Sequence, residues 1–156
     1  LEEEKELLKP GNLDYPVFET PDVGRIGLMV GYDIWFMEVA RILMLHGVDV
    51  IAHPCSFTLP VEPQFLAPER GLENKAFLVS ASRSGTPCIG QSRLIDPYGR
   101  HLDINAGRHP RHIYSFVTVS LAREKLLAAR SDLVLQRWRL GWLDWPDMYT
   151  LVQAKR

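Results

Sequence analysis

The sequence is easiest to approach through what it lacks. Lys and Arg number 18 against 19 Asp and Glu, a formal net charge of −1. Neither sign dominates, so nothing implies a nucleic-acid or membrane-surface partner. No apolar stretch approaches the roughly 18–20 residues needed to cross a bilayer, and no signal peptide is visible. Cysteine is scarce, with only Cys55 and Cys88 in 156 residues. They allow one disulfide, but two cysteines in a chain this size are ordinary for a reduced protein, and the expected compartment is the cytoplasm. His109 and His112 sit three apart, yet no carboxylate or cysteine lies near enough in sequence to complete a ligand set, so neither a metal nor another cofactor is expected. There is no internal repeat and no low-complexity segment. With 46% hydrophobic residues, what remains is one ordinary domain.

The chain is organised around Gly24 to Pro54. Arg25 to Val30 is a short apolar run rich in branched residues, predicting a buried strand. Gly31 breaks the run, and Asp33 is the expected N-cap of a helix. Phe36, Val39, Ala40, Leu43 and Met44 recur at spacings of three and four, marking one face of that helix, which Gly47 stops. Val48 to Ala52 reads as the next buried strand. Strand, helix, strand of this length makes a right-handed parallel crossover, and ligands in such sheets lie at the carboxyl ends of the strands. The elbow Gly31-Tyr32-Asp33 and the strand end His53-Pro54-Cys55 should therefore share one cleft.

The string from Gly24 to Arg41, G-R-I-G-L-M-V-G-Y-D-I-W-F-M-E-V-A-R, resembles the nucleophile segment of the nitrilase superfamily, the carbon–nitrogen hydrolases. Its pattern runs G-(K/R)-(I/V)-G-x-x-I-C-Y-D-x-x-F-P-E-x-x-R. Gly24, Arg25, Gly27, Tyr32, Asp33, Phe36, Glu38 and Arg41 fit it. Met37 stands where proline is usual, and Gly31 stands where the catalytic cysteine belongs. Arg70 to Arg83 resembles the family's R-A-x-E-N-x-x-Y-V-V-x-A-N-R, with Glu73 and Asn74 matching and Gly71 and Ser82 departing. Gly90, Ser92, Asp96, Pro97 and Gly99 meet the pattern G-x-S-x-I-x-D-P-x-G. The three matches come in family order, from about Glu4 to the tail, and cover the second half of the family's domain. The fold implied is the α–β–β–α sandwich of the nitrilase type, here incomplete.

Outside these motifs the elements are plainer. Pro10-Gly11-Asn12 is a turn, and Tyr15 to Glu19 is a short strand whose hairpin feeds the sheet. Glu62-Pro63 opens a helix with Phe65, Leu66, Leu72 and Phe77 toward the core. Phe77 to Ala81 is the third buried strand. Gly85 to Gly90 is a loop, Gln91 to Ile95 a strand, Asp96-Pro97-Tyr98-Gly99 a type I turn, and Arg100 to Ile104 the hairpin partner. Ile113 to Val119 alternates as a half-buried strand, and Leu121 to Arg130 is a helix. The hydrolase domain is expected over 1–130. Trp138, Trp142, Trp145 and Tyr149 mark 131–156 as an aromatic tail that packs on a neighbouring surface, either across a homo-oligomer interface or on the domain's own sheet.

The resemblance also implies a chemistry. In relatives a cysteine thiolate attacks the electrophilic carbon, a glutamate acts as base, and a lysine and a backbone N–H hold the oxyanion. Carried onto this sequence, Gly31 is the nucleophile position, the Tyr32 backbone N–H is half of the oxyanion hole, and Glu4, with Glu3 and Glu6 as close alternatives, falls where relatives carry a glutamate close to the active site. Trp35, Ser56 and Phe57 fall where substrate contacts are expected. Asp33, Glu38 and Glu73 fall behind them as supporting residues, although without the resemblance Glu73 reads as surface helix charge. The base glutamate and the lysine lie upstream of the matching region, and glycine has no acceptor for an acyl group. The expectation is thus a portion of a hydrolase for non-peptide C–N bonds that is inactive as written, acting on a small amide, N-carbamoyl compound or nitrile. The alternative is a non-catalytic binding or assembly module of the same fold. Cys55 ends the neighbouring strand but starts from a different backbone, so rescue by its sulfur is not expected.

Overall fold

A computed structural model of the chain describes residues 7, 9, 11 and 15–102. The readings that fall on Glu4, on the strand and helix after residue 112 and on the tail, together with the 131 boundary, lie outside the described residues. In order, the elements are β1 (Val17–Thr20), β2 (Gly24–Leu28), a 3-10 segment (Gly31–Trp35), α1 (Met37–Leu45), β3 (Val50–Cys55), a π-helical segment (Glu62–Leu66), α2 (Ala67–Asn74), β4 (Phe77–Ser82), β5 (Ser84–Gly85), β6 (Cys88–Ile89) and β7 (Arg93–Ile95). Five strands form one mixed sheet in the order β1-β2-β3-β4-β7. β2, β3 and β4 are parallel, and β1 and β7 flank them antiparallel.

Register explains which face of this sheet is core. Val17, Gly27, Ile51, Leu78 and Ile95 are successive partners across the five strands, and both helices press on that row. A Cβ added to Gly27 would lie 2.7 Å from Leu43 of α1, and one added to Gly71 of α2 would lie 2.8 Å from Ile95. Glycine at these two positions is what lets the helices approach so closely. Met29, Ile34, Val39, Ala40, Leu43, Val48, Phe57 and Ala67 complete the core on this side. The neighbouring row, Leu28, Ala52, Val79 and Leu94, points to the opposite face, where Leu28 is 42% and Val79 37% exposed.

The apolar spacing in α1 is met: Val39, Ala40, Leu43 and Met44 are buried. Phe36, expected on that face, is instead the exposed N-cap residue of α1. The expected Asp33 cap is corrected as well. α1 begins at Met37, and Asp33 sits inside the 3-10 segment, where its carboxylate accepts the Val30 N–H at 2.9 Å.

The larger correction concerns residues 62–77. Phe65 is 65% and Leu72 45% exposed, while Glu62, Pro63, Ala67, Arg70, Gly71 and Asn74 are buried. The inward face is polar because its side chains find partners there: Arg70 Nε donates to the Ile34 carbonyl at 3.0 Å and Asn74 Nδ2 to the Arg70 carbonyl at 2.9 Å. Phe77, by contrast, is buried as the first residue of β4. The expected loop at 85–90 instead contains all but Ser84 of a small hairpin, β5 with β6. The turn at Asp96 is as expected: Gly99 N–H donates to the Asp96 carbonyl at 2.9 Å, and Asp96 Oδ1 accepts the Tyr98 and Arg100 amides at 2.8 and 2.9 Å. Both cysteines are free thiols. Among the described residues no helix is long and apolar enough to cross a membrane.

Candidate active site

Between β2 and α1 the chain makes a sharp elbow at the carboxyl end of the sheet. Gly31 is its first 3-10 residue, with φ +53, in the left-handed region that L side chains rarely adopt. An added Cβ would meet nothing within 4 Å, so a side chain here would be strained by the backbone but unobstructed. Asp33 staples the elbow by accepting the Val30 N–H and donating its own N–H to the Val30 carbonyl at 3.1 Å. Tyr32 is exposed, with its ring stacked on Trp35 (centroids 6.0 Å apart) and edge-on to Phe36 at 5.7 Å. Among the described residues its backbone N–H has no acceptor.

The strand end His53–Cys55 does meet this elbow. His53, 1% exposed, places Nε2 3.0 Å from the Gly31 carbonyl and Nδ1 3.0 Å from Ser80 Oγ. Burial pulls its pKa below the ordinary 6.5, against the Gly31 hydrogen bond and the charges of Asp33 and Glu62. Cys55 lies half-buried beside it, its Sγ–H directed at the Ala81 carbonyl at 3.7 Å. Burial pushes its thiol up to about 11. At neutral pH it is protonated and a poor nucleophile.

The expected substrate contacts are distributed unevenly. Trp35 is half-buried below Tyr32, and its Nε1 donates to Glu62 Oε1 at 3.1 Å. Ser56 is exposed, whereas Phe57 is buried in the core against His53, with ring centroids 5.7 Å apart. Glu38 is exposed in the first turn of α1. Glu73 is no surface charge: Oε1 accepts Arg70 Nη1 at 2.8 Å, Oε2 lies 3.8 Å from Arg41 Nη2, and its carbonyl accepts Arg41 Nη1 at 3.2 Å. Through Arg70 and the Ile34 carbonyl this cluster ties α1 and α2 to the elbow. Among the described residues no His, Cys, Asp and Glu group fits a metal.

The sequence puts His53 at the cleft but not its partners, and Glu62 and Ser80 escape it altogether as site residues. Glu62 is 7% exposed, and besides Trp35 its carboxylate accepts the Thr58 and Leu59 amides at 2.8 Å each. Its signal is an acid opening a helix just after a strand end, the pattern of a carboxylate that caps its own loop. His53 and Ser80 are direct partners in the β3/β4 register, a pairing visible only once the strands are aligned.

A mixed five-strand sheet with two helices on one face and a sharp turn at the carboxyl end of a parallel strand defines an α/β fold. Residues 2–127 match the carbon-nitrogen hydrolase family, and the chain belongs to that family. It is 34% identical over 140 residues to a nitrilase of Pyrococcus abyssi, covering 86% of this chain and 52% of that protein. It is 28% identical to the omega-amidase NIT2 of Homo sapiens, over 98% of this chain and 54% of that protein. The chain thus spans about half the length of these relatives. Among solved structures, the amidase from Nesterenkonia sp. AN1, a cysteine-to-alanine mutant in complex with butyramide, superposes with a TM-score of 0.56 at 27% identity, over 64% of this chain and 40% of that one. The same amidase has also been solved with the acetamide moiety of fluoroacetamide added covalently at its active site cysteine.

Proposed function

We propose that this chain is the nucleophile-bearing portion of a carbon–nitrogen hydrolase domain in which Gly31 occupies the nucleophile position, and that its elbow binds a small amide, N-carbamoyl compound or nitrile without forming an acyl intermediate. The observation that carries this is Gly31 itself: positive φ and open space at the end of a parallel strand are what a nucleophile needs, retained where the side chain is missing. The Tyr32 N–H is the donor for the ligand oxygen, and Trp35 with Ser56 flanks it. Glu73 and Asp33 hold the elbow's shape, with Glu38 at the mouth of α1. The butyramide complex of the amidase mutant supports binding without the thiol.

The same reading places the chain in an α–β–β–α sandwich. The row of Leu28 and Val79 is the face on which the second sheet packs, and the aromatic tail at 131–156 is the homo-oligomer contact. A cytoplasmic setting fits the two free thiols. The exposed apolar row is also the observation that favours the second reading, an assembly module that keeps this surface and has no ligand.

Two measurements separate them. Butyramide titrated into the isotopically labelled chain is expected to shift the backbone amides of Tyr32 and Trp35. Gly31→Cys, supplied with the upstream half of the domain, is expected to release ammonia from a small amide. A folded chain with neither response leaves the assembly module standing.

A further inference from the structure

Gly31 has no Cβ and sits at φ +53, where an added Cβ would meet nothing within 4 Å, so side-chain sterics do little to fix the peptide between Gly31 and Tyr32. The turn that Asp33 closes around this peptide is one constraint on it; a second acts on its oxygen. The Gly31 carbonyl has a partner deep in the fold, His53 Nε2 at 3.0 Å. A carbonyl only accepts, so Nε2 carries the proton, and Nδ1, 3.0 Å from Ser80 Oγ, is then the acceptor of the Ser80 hydroxyl. The relay is thus determined throughout: Ser80 O–H to Nδ1, Nε2–H to the Gly31 carbonyl. It is anchored in the sheet, because His53 and Ser80 are direct partners of β3 and β4, and the Phe57 ring packs against the imidazole. Burial keeps the ring neutral, with Asp33 and Glu62 the charges that act on it.

In a planar trans peptide, C=O and N–H point in opposite directions. Drawing the Gly31 oxygen inward onto a buried imidazole therefore turns the Tyr32 N–H outward. We propose that His53, held by Ser80, is a positioning residue that aims the Tyr32 N–H at the oxygen of a bound carboxamide or related acyl group. The inference rests on the binding site proposed above and deepens it: the donor strength of the elbow is set by a side chain one strand away.

The test uses the whole chain and two kinds of readout. Nitrogen NMR of the ligand-free protein is expected to find His53 as the Nε2–H tautomer; an Nδ1–H tautomer overturns the relay whatever the ligand. His53→Leu is expected to weaken butyramide binding by on the order of tenfold, the scale of one lost hydrogen bond. His53→Gln, whose side-chain amide again presents a donor to the Gly31 carbonyl, is expected to restore most of it. Binding within twofold of the unmodified chain in a folded His53→Leu overturns the positioning role. Should that variant not fold, Ser80→Ala replaces it; the expectation is a mixed tautomer and a shifted Tyr32 amide, and an unchanged tautomer and amide overturn the proposal. Should butyramide not bind the unmodified chain, the proposed function falls but this inference is still decided. A ligand-free Tyr32 amide resonance that moves in His53→Leu and returns in His53→Gln supports it, and one identical in all three chains overturns it.

Discussion

The two faces of the sheet carry similar side chains and meet different fates. Gly27, Ile51, Leu78 and Ile95 lie in one register row under α1 and α2, and the next row, Leu28, Ala52, Val79 and Leu94, faces away from both helices. Leu78 is fully buried and Val79, its neighbour in sequence, is more than a third exposed. The covered face also holds side chains that brace the elbow from outside it: His53 and Ser80 on the strands, and Arg41, Arg70 and Glu73 on the helices. Most of the buried core and the site geometry lie on this side, whereas the other side pairs a small buried cluster, Val50 and Phe77, with exposed apolar surface of the kind that marks an interface.

The largest effect should come from the charged cluster that holds the helices to this face. Glu73→Ala removes the carboxylate shared by the buried Arg70 and Arg41, leaving Arg70 only the exposed Glu69 at 3.6 Å, a loss of about 3–5 kcal/mol; denaturant unfolding measures it, and a loss under about 1 kcal/mol would return Glu73 to the surface charge it resembles in sequence. The two rows can then be compared directly. Leu78→Ala should cost about 2–5 kcal/mol and Val79→Ala much less, since burial sets the cavity penalty. If an upstream half-domain covers the open face, its addition should raise the cost of Val79→Ala and leave that of Leu78→Ala unchanged.

A pH titration probes the covered face at its site end. His53 has a folded pKa below 6.5, so on acidification the unfolded chain takes up its proton first. Its contribution is complete above about pH 6.5 and falls as the pH drops from there toward the folded pKa. His53→Gln should remove that portion of the acid sensitivity, as chemical denaturation at several pH values would register. The smallest effect belongs to the open elbow. Gly31→Cys should cost about 1–2 kcal/mol, the penalty for a side chain at positive φ with no clash added. Its thiol should react with iodoacetamide much faster than Cys55, whose thiol sits near 11; equal rates would mean that the elbow is not open.

Much of the covered face is readable in sequence because its logic is local. Gly31, the α1 spacing and the Asp96 turn depend on residues within a few positions of one another. The α2 face misleads for a physical reason. The inward residues Arg70 and Asn74 are polar and donate to backbone carbonyls, and apolar Phe65 and Leu72 are left outside, so the hydrophobic pattern points the wrong way. His53 and Ser80 stand 27 residues apart and meet only through strand register, which no local window contains. Glu62 stays hidden because its three donors come from a loop and from an indole on a different element.

That last carboxylate has a mechanical consequence. The Trp35 indole and the amides of Thr58 and Leu59 hang from the same two oxygens, so ring and loop are yoked and neither swings alone. A guest that nudges Trp35 will tug residues 58 and 59 with it, and the first sign of an occupied elbow should be heard in a stretch of chain the guest never touches.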